Sequence, residues 1–358
     1  MKIAHIVWGL GTGGIETMLV DIVNEQVKSE NVAVYVVNDI YDQNILNKID
    51  SRTKIYFCKR KEGSKNPIPI IRFNCFLWQF HPDIIHCHSS NIIKAIHFPC
   101  KKVCTIHNTH TSCEYYKKYD KLFYISEAVK AYTLKQGFHN GTVIYNGIHT
   151  NQIANVPKVI IKNREKKRFV CIGRLHKDKG QTLIVEAFNE LVNKRRLKGF
   201  SIDLIGEGEL RNDLERIIVE YGLNSYVHLL GVKPREYFYP HLCEYDLLIL
   251  PSISEGFGLT VAEAMAAKVP VLTSDLPGPM EVIGNGKYGF SFISGNFMSL
   301  ADKIEEFLKN GKNAEIVELG YDYVVNNFDV KQTSEKYLRE YKILKESRKE
   351  DLIKKHKI

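Results

Sequence analysis

Long apolar runs are missing from this sequence of 358 residues. No stretch approaches the roughly eighteen consecutive apolar residues that mark a transmembrane helix. The N-terminal segment, MKIAHIVWGLGTGG, carries a single lysine and an apolar run that stops at Gly9, unlike a secretory signal peptide. We therefore expect a protein that is neither exported nor membrane-spanning and that works in the cytoplasm.

Paired cysteine motifs are also missing. The eight cysteines stand singly, as is typical of proteins kept in a reducing cytoplasm. One group nevertheless has spacings found in zinc sites: Cys100, Cys104, His107, His110 and Cys113. Because residues 103–107 read as a strand, Cys104 and His107 would point to opposite faces, so we expect no metal there.

Charge of one sign is only mildly in excess. The chain has 50 Lys and Arg against 41 Asp and Glu, a formal net charge of +9, and residues 1–150 hold 18 of the cations against 12 of the carboxylates. So small an excess favours an anionic ligand or an acidic membrane surface over nucleic acid. An ordinary solvated surface would have the same composition.

Strand-like and helix-like segments alternate through residues 1–150, which predicts a doubly wound parallel sheet. The strand-like runs are residues 2–8, 33–37, 54–57, 84–87, 103–107, 121–125 and 142–144. Residues 151–167 are polar, charged and proline-containing, and they read as a linker.

The alternation restarts after the linker, so residues 168–328 predict a second α/β domain. Its strand-like runs are residues 168–172, 201–205, 227–229, 247–250 and 269–273. Two such domains imply a cleft between them, with ligands at the carboxyl ends of the strands. A helix-like segment, 329–349, and a basic tail, 350–358, follow.

The most informative stretch is residues 251–270, PSISEGFGLTVAEAMAAKVP. It follows the apolar strand 247–250, turns at glycines and becomes helical from Leu259. Backbone N–H groups exposed by glycine and the positive end of the helix dipole make such a turn attractive to phosphate. Glu255 would lie at the mouth of this site and Glu263 would reach it from within the helix.

A second glycine-rich turn follows the first strand. Gly9, Gly11 and Gly14 satisfy the pattern GxGxxG, and Asp39 lies after the second strand, where a dehydrogenase has its ribose-binding acid. A nicotinamide-dependent oxidoreductase is therefore the main competing hypothesis. The pattern alone is weak evidence, because any turn that approaches a phosphate closely needs glycine. The oxidoreductase hypothesis also assigns no function to Glu255 and Glu263.

Two cations belong to the loop after strand 168–172. Arg174 follows that strand and Lys179 precedes the next helix, so both could clamp a diphosphate; a solvated basic loop is the alternative. No two aspartates stand in an Asp-X-Asp arrangement, the commonest means of holding a metal against a sugar-nucleotide diphosphate. These cations and a helix terminus would then stabilise a leaving diphosphate without a metal cofactor.

Histidines lie at the ends of two strands in the first half. His107 closes strand 103–107 on the side where it could face a ligand of the second domain, although a local hydrogen-bonding role is commoner. His86 and His88 lie at another strand end, and the sequence assigns them no role. Glu16, after the glycines, either favours the start of its helix or faces an acceptor.

Residues 66–80, NPIPIIRFNCFLWQF, combine large apolar side chains with the preceding cations Lys59, Arg60, Lys61 and Lys65. A helix that lies on a membrane surface has this composition. A buried crossover helix between two strands has it as well. The sequence leaves both interpretations open.

Taken together, these features resemble the retaining glycosyltransferases of family 4, which have the GT-B architecture of two Rossmann-like domains. The most specific match is SEGFGLTVAEAMA at residues 254–266, the EX7E signature of that family. The resemblance covers nearly the whole chain through further motifs: GTGGIE (11–16), PDIIHCHS (82–89), TIH (105–107), ISEAVK (125–130), VIYNGI (143–148), IGRLHKDKG (172–180), IGEGELR (205–211) and LLG (229–231). After the signature the sequence departs from the family pattern, since Gly278 and Pro279 replace a second glycine and Glu281 follows.

The resemblance implies roles for individual residues. Arg174 and Lys179 would hold the donor diphosphate, Glu263 the nucleotide ribose and Glu255 the sugar hydroxyls, with His107 as a second catalytic residue beside the sugar. The remaining donor contacts would come from Gly13, Gly14, Val232, Gly256, Phe257, Gly258 and Leu259. Glu16 would lie on the acceptor side.

The implied reaction is the metal-independent transfer of a hexose or N-acetylhexosamine, with retention, from a nucleoside-diphosphate sugar that is most readily UDP-linked. The acceptor would be a polyprenyl-diphosphate-linked glycan at the inner face of the membrane, in the synthesis of O-antigen, capsule or exopolysaccharide. The alternatives are a GDP-mannose-dependent mannosyltransferase, the NAD-binding oxidoreductase and a non-catalytic nucleotide-sugar-binding protein. The helix at 329–349 would pack back on the first domain.

Overall fold

The computed structural model describes residues 1–11, 13–109, 112–154 and 166–355, with side chains described as far as residue 347. The chain forms two compact units. The first unit comprises Met1–Gly147 and the chain from Val330 onward, and the second unit is Ile148–Asp329. Each unit has its own parallel sheet.

The described part of the first unit contains seven strands and five helices. The strands are β1 (Lys2–Val7), β2 (Asn31–Asn38), β3 (Lys54–Arg60), β4 (Ile84–Cys87), β5 (Lys101–Ile106), β6 (Lys121–Tyr124) and β7 (Gly141–Val143). The helices are α1 (Gly14–Gln26), α2 (Gln43–Leu46), α3 (Ile68–Phe80), α4 (Glu127–Lys135) and, at the end of the chain, α13 (Val330–Lys355). All strand pairs are parallel, in the order β3-β2-β1-β4-β5-β6-β7.

Helices cover this sheet on both faces, which is why β1 and β2 are almost continuously apolar. On one face Leu19 and Val23 of α1 pack against β2. On the same face Tyr337 and Tyr341 of α13 are completely buried against the strands and beside Met18 and Ile22 of α1. Helix α3 covers the opposite face, where Phe73 packs edge-on against Tyr35 of β2. The C-terminal helix thus belongs to the first unit, and it extends into the segment predicted as a basic tail, of which residues 356–358 lie outside the described part.

The second unit has six described strands in the order β10-β9-β8-β11-β12-β13, again all parallel. The strands are β8 (Lys167–Ile172), β9 (Phe200–Ile205), β10 (Val227–Gly231), β11 (Leu247–Leu250), β12 (Val271–Ser274) and β13 (Phe290–Phe292). The helices are α5 (Thr150–Ala154), α6 (Gln181–Asn189), α7 (Arg211–Glu220), α8 (Arg235–Leu242), α9 (Leu259–Ala266), α10 (Pro277–Val282), α11 (Phe297–Asn310) and α12 (Ala314–Asn327).

Strand order reverses beside the first strand of each sheet. In the second unit β8 lies between β9 and β11, so the helices that follow the loops after β8 and β11 lie on opposite faces of the sheet. A crevice forms at such a switch point, and ligands of parallel α/β sheets bind there. The predicted fold class, two Rossmann-like α/β domains, is confirmed.

The predicted linker, residues 151–167, is structured at both ends. Helix α5 occupies its start, and β8 begins at Lys167. The Thr150 hydroxyl donates a hydrogen bond to the Asp329 carboxylate, which ties α5 to the other end of the second unit. Residues 155–165 lie outside the described part of the chain.

Candidate functional site

The loops that follow β8 and β11 pack tightly against each other at the switch point of the second sheet. Gly180 (φ +67°) permits this, because a Cβ there would collide with the carbonyl group of Pro251. The backbone N–H groups of Ile253 and Ser254 also donate to the carbonyl oxygen of Asp178, at 2.8 and 3.2 Å. These contacts fix two loops that are distant in the sequence beside each other.

This packing brings two predicted site residues into contact. The ammonium group of Lys179 donates to Oε2 of Glu255 at 2.7 Å. The two side chains remain 31% and 17% exposed, so the ion pair is accessible from solvent. A cation suited to phosphate and a carboxylate suited to hydroxyl groups therefore lie side by side.

Arg174 lies in the same loop with an exposed side chain. Its backbone is held by Gly206 (φ +146°) and Gly208 (φ +159°), where a Cβ would collide with the carbonyl groups of Gly173 and Leu175. Within the described part of the chain, the Arg174 guanidinium makes no ion pair. Its charge is therefore available to an anion.

The glycine-rich turn ends where α9 begins at Leu259, with Gly258 (φ +103°) as the N-cap. The first N–H groups of a helix have no acceptor within it, and they favour a negative charge. Phe257 anchors the turn by packing edge-on against Phe328, with ring centroids 5.2 Å apart. The turn thus has a fixed shape and a positive electrostatic end.

The departure from the family pattern after the signature has a structural explanation. Pro277 begins helix α10, and Pro279 lies within it. A Cβ at Gly278 would lie 2.5 Å from the carbonyl oxygen of Gly256. Gly278, the single glycine of this segment, therefore packs directly on the backbone of the glycine-rich turn.

Glu263 lies buried on α9 and is held by two residues of α8. Its Oε1 accepts a hydrogen bond from the Tyr239 hydroxyl at 2.9 Å and pairs with Nη2 of Arg235 at 3.1 Å. Arg235 and Tyr239 are one helical turn apart, with the guanidinium 5.6 Å from the ring centroid. Neither residue could be identified from the sequence, because their i, i+4 spacing brings them together only if this segment is helical.

Val232 follows β10 with its side chain exposed and is near the start of α8 in the sequence. No contact distinguishes it among the described residues. The nucleobase contact that the resemblance implies for Val232 therefore stays a prediction.

In the first unit, His107 follows β5 and is buried. Its ring stacks on that of His88, with centroids 5.7 Å apart and planes 24° apart. Burial lowers the pKa of His107 to about 4, so the ring is neutral at pH 7. Among the described residues its Nε2 has no hydrogen-bond partner. A neutral ring with one unpaired nitrogen is suited to a single hydrogen bond with a ligand.

A buried histidine cluster lies behind His107. His5 bonds Gln26 Oε1 through Nε2 at 2.8 Å and His88 Nε2 through Nδ1 at 3.1 Å. His86 bonds the Tyr341 hydroxyl of α13 at 2.5 Å. Because an amide oxygen can only accept, His5 Nε2 carries the proton and His88 donates to His5. This network gives the strand-end histidines a role, which is to fix the ring against which His107 stacks.

In the described part of the chain, none of the cysteines considered for zinc belongs to a group of three or more possible metal ligands. Among the described residues, the only group of three or more possible ligands is His5, His86 and His88, and hydrogen bonds occupy both nitrogens of His5 and of His86. Cys104 is buried and Cys113 is half-buried. His110 lies outside the described part of the chain.

A cavity of about 520 Å³ lies beside His88 and His107 within the first unit. Its lining includes Ile15, Asn91, Lys94 and Tyr115. Ile106 and Tyr116 line it as well, and a lining that combines aliphatic side chains and aromatic rings with several hydrogen-bonding groups suits a hydroxylated ligand.

The glycine-rich turn after β1 leads into α1, with Gly13 as the N-cap and Gly14 as the first helical residue. The Glu16 carboxylate folds back over this turn, since a Cβ on Gly13 would collide with it. That position is the one expected of an acid that stabilises the start of its helix. The acceptor-side role of Glu16 stays a prediction.

Comparison with known proteins shows two consecutive family matches. The model of the family described as Glycosyltransferase Family 4 matches residues 12–152. The model described as Glycosyl transferases group 1 matches residues 152–320. Both halves of the chain therefore match glycosyltransferases.

Curated relatives are similar over part of their length. The capsular polysaccharide biosynthesis glycosyltransferase CapM of Staphylococcus aureus is 30% identical over 153 residues, which is 41% of this chain and 38% of that protein. The N-acetylgalactosamine-N,N'-diacetylbacillosaminyl-diphospho-undecaprenol 4-alpha-N-acetylgalactosaminyltransferase of Campylobacter jejuni is 28% identical over 172 residues, 48% of this chain and 45% of that protein. The chain spans half the length, or less, of the curated relatives it matches.

Among solved structures, Anabaena HepE in complex with UDP and glucose has a TM-score of 0.81 over 96% of this chain and 100% of that chain, at 20% identity. At this identity the likeness shows a shared fold. With both halves matched by consecutive family models from residue 12 to residue 320, the chain belongs to family 4 of the glycosyltransferases and has the GT-B fold.

Proposed function

We propose that the protein is a retaining glycosyltransferase that moves a hexose or N-acetylhexosamine from a UDP-sugar to a lipid-linked glycan during the synthesis of O-antigen, capsule or exopolysaccharide. The observation that carries this proposal is the contact between Lys179 and Glu255 at the switch point of the second sheet. A site for a sugar diphosphate requires a cation for the phosphates beside a group that accepts hydrogen bonds from the sugar hydroxyls. Lys179 and Glu255 supply both.

The donor diphosphate would be held by Arg174, Lys179 and the start of α9. These groups place positive charge where the leaving diphosphate develops negative charge, without reorganising at the moment of reaction. Glu255 would accept hydrogen bonds from the sugar once Lys179 turns to the phosphate. Glu263, held by α8, would accept hydrogen bonds from the ribose.

The proposed chemistry is a front-face displacement. The acceptor hydroxyl attacks the anomeric carbon from the side on which the diphosphate leaves, and a phosphate oxygen takes the proton of that hydroxyl. The bond to the acceptor oxygen replaces the bond to the diphosphate oxygen, so the anomeric configuration is retained. The protein then supplies positioning and charge stabilisation, and no side chain need act as a base.

A neutral His107 fits this scheme. Since its pKa is about 4, the ring carries no charge at pH 7 that would compete with Arg174 and Lys179 for the diphosphate. It would hydrogen-bond a sugar hydroxyl while the histidine cluster holds its orientation. Gly13 and Gly14 would allow the backbone to approach the donor closely.

The relatives support the choice of donor and acceptor. HepE was crystallised with UDP and glucose, which favours a uridine nucleotide and a hexose. The Campylobacter jejuni relative is named for a substrate linked to undecaprenol through a diphosphate, and CapM for capsular polysaccharide biosynthesis. We extend these chemistries to the present chain as part of the proposal.

UDP is expected to stabilise the protein against thermal unfolding, and NAD is not. A ligand present at about 100 times its dissociation constant adds roughly 2.7 kcal/mol to the free energy of unfolding. Differential scanning fluorimetry with UDP, GDP, ADP and NAD measures this. Stabilisation by NAD and by no nucleoside diphosphate would exclude the proposal, and stabilisation by GDP alone would indicate a mannosyltransferase that uses GDP-mannose. UDP binding without donor hydrolysis or transfer, even with lipid extract supplied, would indicate a protein that only binds nucleotide sugars.

Transferase activity is expected to survive EDTA. Two cations and a helix terminus serve the diphosphate in place of a metal, and the sequence has no Asp-X-Asp pair to hold one. Release of UDP from a UDP-sugar is measured before and after chelation. A complete loss that a divalent ion restores would contradict the metal-free clamp.

We also propose that the protein works at the inner face of the membrane. A lipid-linked acceptor is confined to that surface, so the enzyme must reach it there. No helix in the described part of the chain is long and apolar enough to cross a membrane. The proposed contact is therefore peripheral, with anionic lipid as the partner.

A further inference from the structure

Helix α3 connects β3 to β4 and has apolar side chains on two opposite faces. The inner face packs on the sheet through Pro69, Phe73, Leu77 and Phe80. The outer face carries Ile68, Ile71, Cys75 and Trp78, which recur at intervals of three and four residues and so lie in one stripe. The crossover-helix interpretation therefore accounts for the inner face, and the membrane-surface interpretation stays a prediction for the outer face.

The outer face of α3 is exposed rather than packed. Ile68, Ile71 and Trp78 keep 58%, 59% and 50% of their surface accessible. The Trp78 ring packs edge-on against Phe98 with centroids 4.9 Å apart, so it has a fixed orientation while half of it faces outward. A helix on the surface of a soluble domain normally has polar residues on this face. Three large apolar side chains in one stripe therefore indicate a surface that something covers.

Cations are frequent in the segment that leads into α3. Between residues 59 and 72 the chain has five cations and the single carboxylate of Glu62. The cations are Lys59, Arg60, Lys61, Lys65 and Arg72, of which all but Arg60 are exposed. Arg72 lies on α3 at the edge of the stripe, and the helix itself contains no acidic residue. An apolar stripe on a helix that exposed cations precede in the chain is complementary to a surface with anionic headgroups over an apolar interior.

We propose that the outer face of α3 docks the protein onto an anionic membrane. Ile68, Ile71 and Trp78 enter the boundary between headgroups and acyl chains, where tryptophan is favoured, and the lysines meet the headgroups. A stable protein interface uses about 20–30 residues on each side, far more than this stripe provides. The inference rests on the proposed function in one respect, because a lipid-linked acceptor gives the enzyme a reason to be at the membrane.

Co-sedimentation of the full chain with vesicles tests this without donor or acceptor. Binding is expected for vesicles of phosphatidylcholine with phosphatidylglycerol and to be much weaker for phosphatidylcholine alone. An Ile71→Ser, Trp78→Ser double variant is expected to lower the partition coefficient at least about tenfold, because it lacks two large apolar side chains that would move from water into the membrane. Val219→Ser is the matched control, because Val219 is an equally exposed aliphatic residue (65%) on helix α7 of the second unit.

A second variant separates charge from apolar contact. The Lys61→Gln, Lys65→Gln double variant is expected to bind vesicles severalfold more weakly than the wild type at low salt. At high salt the difference between the two should be smaller, because salt screens the attraction between the lysines and the headgroups. Unchanged circular dichroism and unchanged turnover of a water-soluble acceptor show that the variants are folded. Absence of vesicle binding by the wild type, equal binding by the Ile71→Ser, Trp78→Ser variant, or a dimer that this variant dissociates would each overturn the inference. Because no sugar nucleotide is present, these outcomes are independent of the proposed reaction.

Discussion

A Glu263→Gln variant is expected to bind UDP roughly ten- to a hundredfold more weakly than the wild type. The carboxylate would accept hydrogen bonds from the ribose hydroxyls, and a hydrogen bond to a charged group contributes about 1.5–3 kcal/mol. Glutamine has nearly the same size, so the substitution removes the charge and leaves the volume of α9 unchanged. Isothermal titration calorimetry with UDP measures the effect.

A nucleotide without ribose hydroxyls identifies the cause of that loss. The wild type should bind 2′,3′-dideoxy-UDP as weakly as the variant binds UDP, and Glu263→Gln should weaken dideoxy-UDP binding little further. Equal losses for the two nucleotides would show that Glu263 does not contact the ribose. The free energy of unfolding must be measured alongside, because the variant also weakens the ion pair with Arg235.

Tyr239→Phe is the matched control for this experiment. It removes the hydroxyl that donates to Glu263 Oε1 and keeps the ring and the charge of Arg235. If α8 only orients the glutamate, the affinity for UDP should fall by less than in Glu263→Gln. The preference for UDP over dideoxy-UDP should then persist.

The sequence predicts every described strand except β13 (Phe290–Phe292), because strands that are buried on both faces are rich in apolar residues. Residues 247–250 are a short apolar run and residues 84–87 are apolar apart from His86, and both form strands with those bounds, β11 and β4. Helices α8, α10, α11 and α12 were not predicted from the sequence; in α8 and α10 the reason is proline, which normally interrupts a helix. In α10 Pro277 and Pro279 both lie in the first turn, where no intrahelical hydrogen bond is lost, whereas α8 contains Pro240 beyond its first turn.

The candidate site was predictable only in part for a related reason. Loop positions after parallel strands are readable from the sequence, so Arg174, Lys179 and Glu255 could be placed at one edge of the sheet. The contacts between those loops could not be predicted from the sequence. They depend on Gly180, where the absence of a Cβ lets the loop after β8 pack on Pro251. The support of Glu263 by Arg235 was missed because it requires α8 to be helical.

The histidine cluster shows the same limit in the first unit. His5 lies in the middle of an apolar strand, where a lone histidine gives no signal of its partners. Its neighbours, His86 and His88, come from a different strand, and Tyr341 comes from the far end of the chain. Only the parallel pairing of β1 with β4 and the return of α13 bring these groups together.

Opposite effects on UDP binding and on transfer are expected when Glu255 is replaced by glutamine. In the donor-free protein its carboxylate holds Lys179, and a partly exposed ion pair of this kind contributes up to about 1 kcal/mol. Glu255→Gln releases that lysine, so UDP affinity should stay the same or rise by as much as about fivefold. Transfer should fall by roughly a hundredfold or more, because the sugar loses a charged acceptor for its hydroxyls at the reacting centre.

Lys179→Ala should lower both quantities, since the lysine would contact the diphosphate in the ground state and in the transition state. Lys177→Ala is the matched control, because Lys177 is an exposed cation two residues away in the same loop, and it should change neither. Calorimetric titration with UDP and initial rates with a UDP-sugar separate the two effects. A fall in UDP affinity in Glu255→Gln would mean that the ion pair organises the phosphate site instead of competing with it. The assignment of Glu255 to the sugar and Lys179 to the diphosphate would then be wrong.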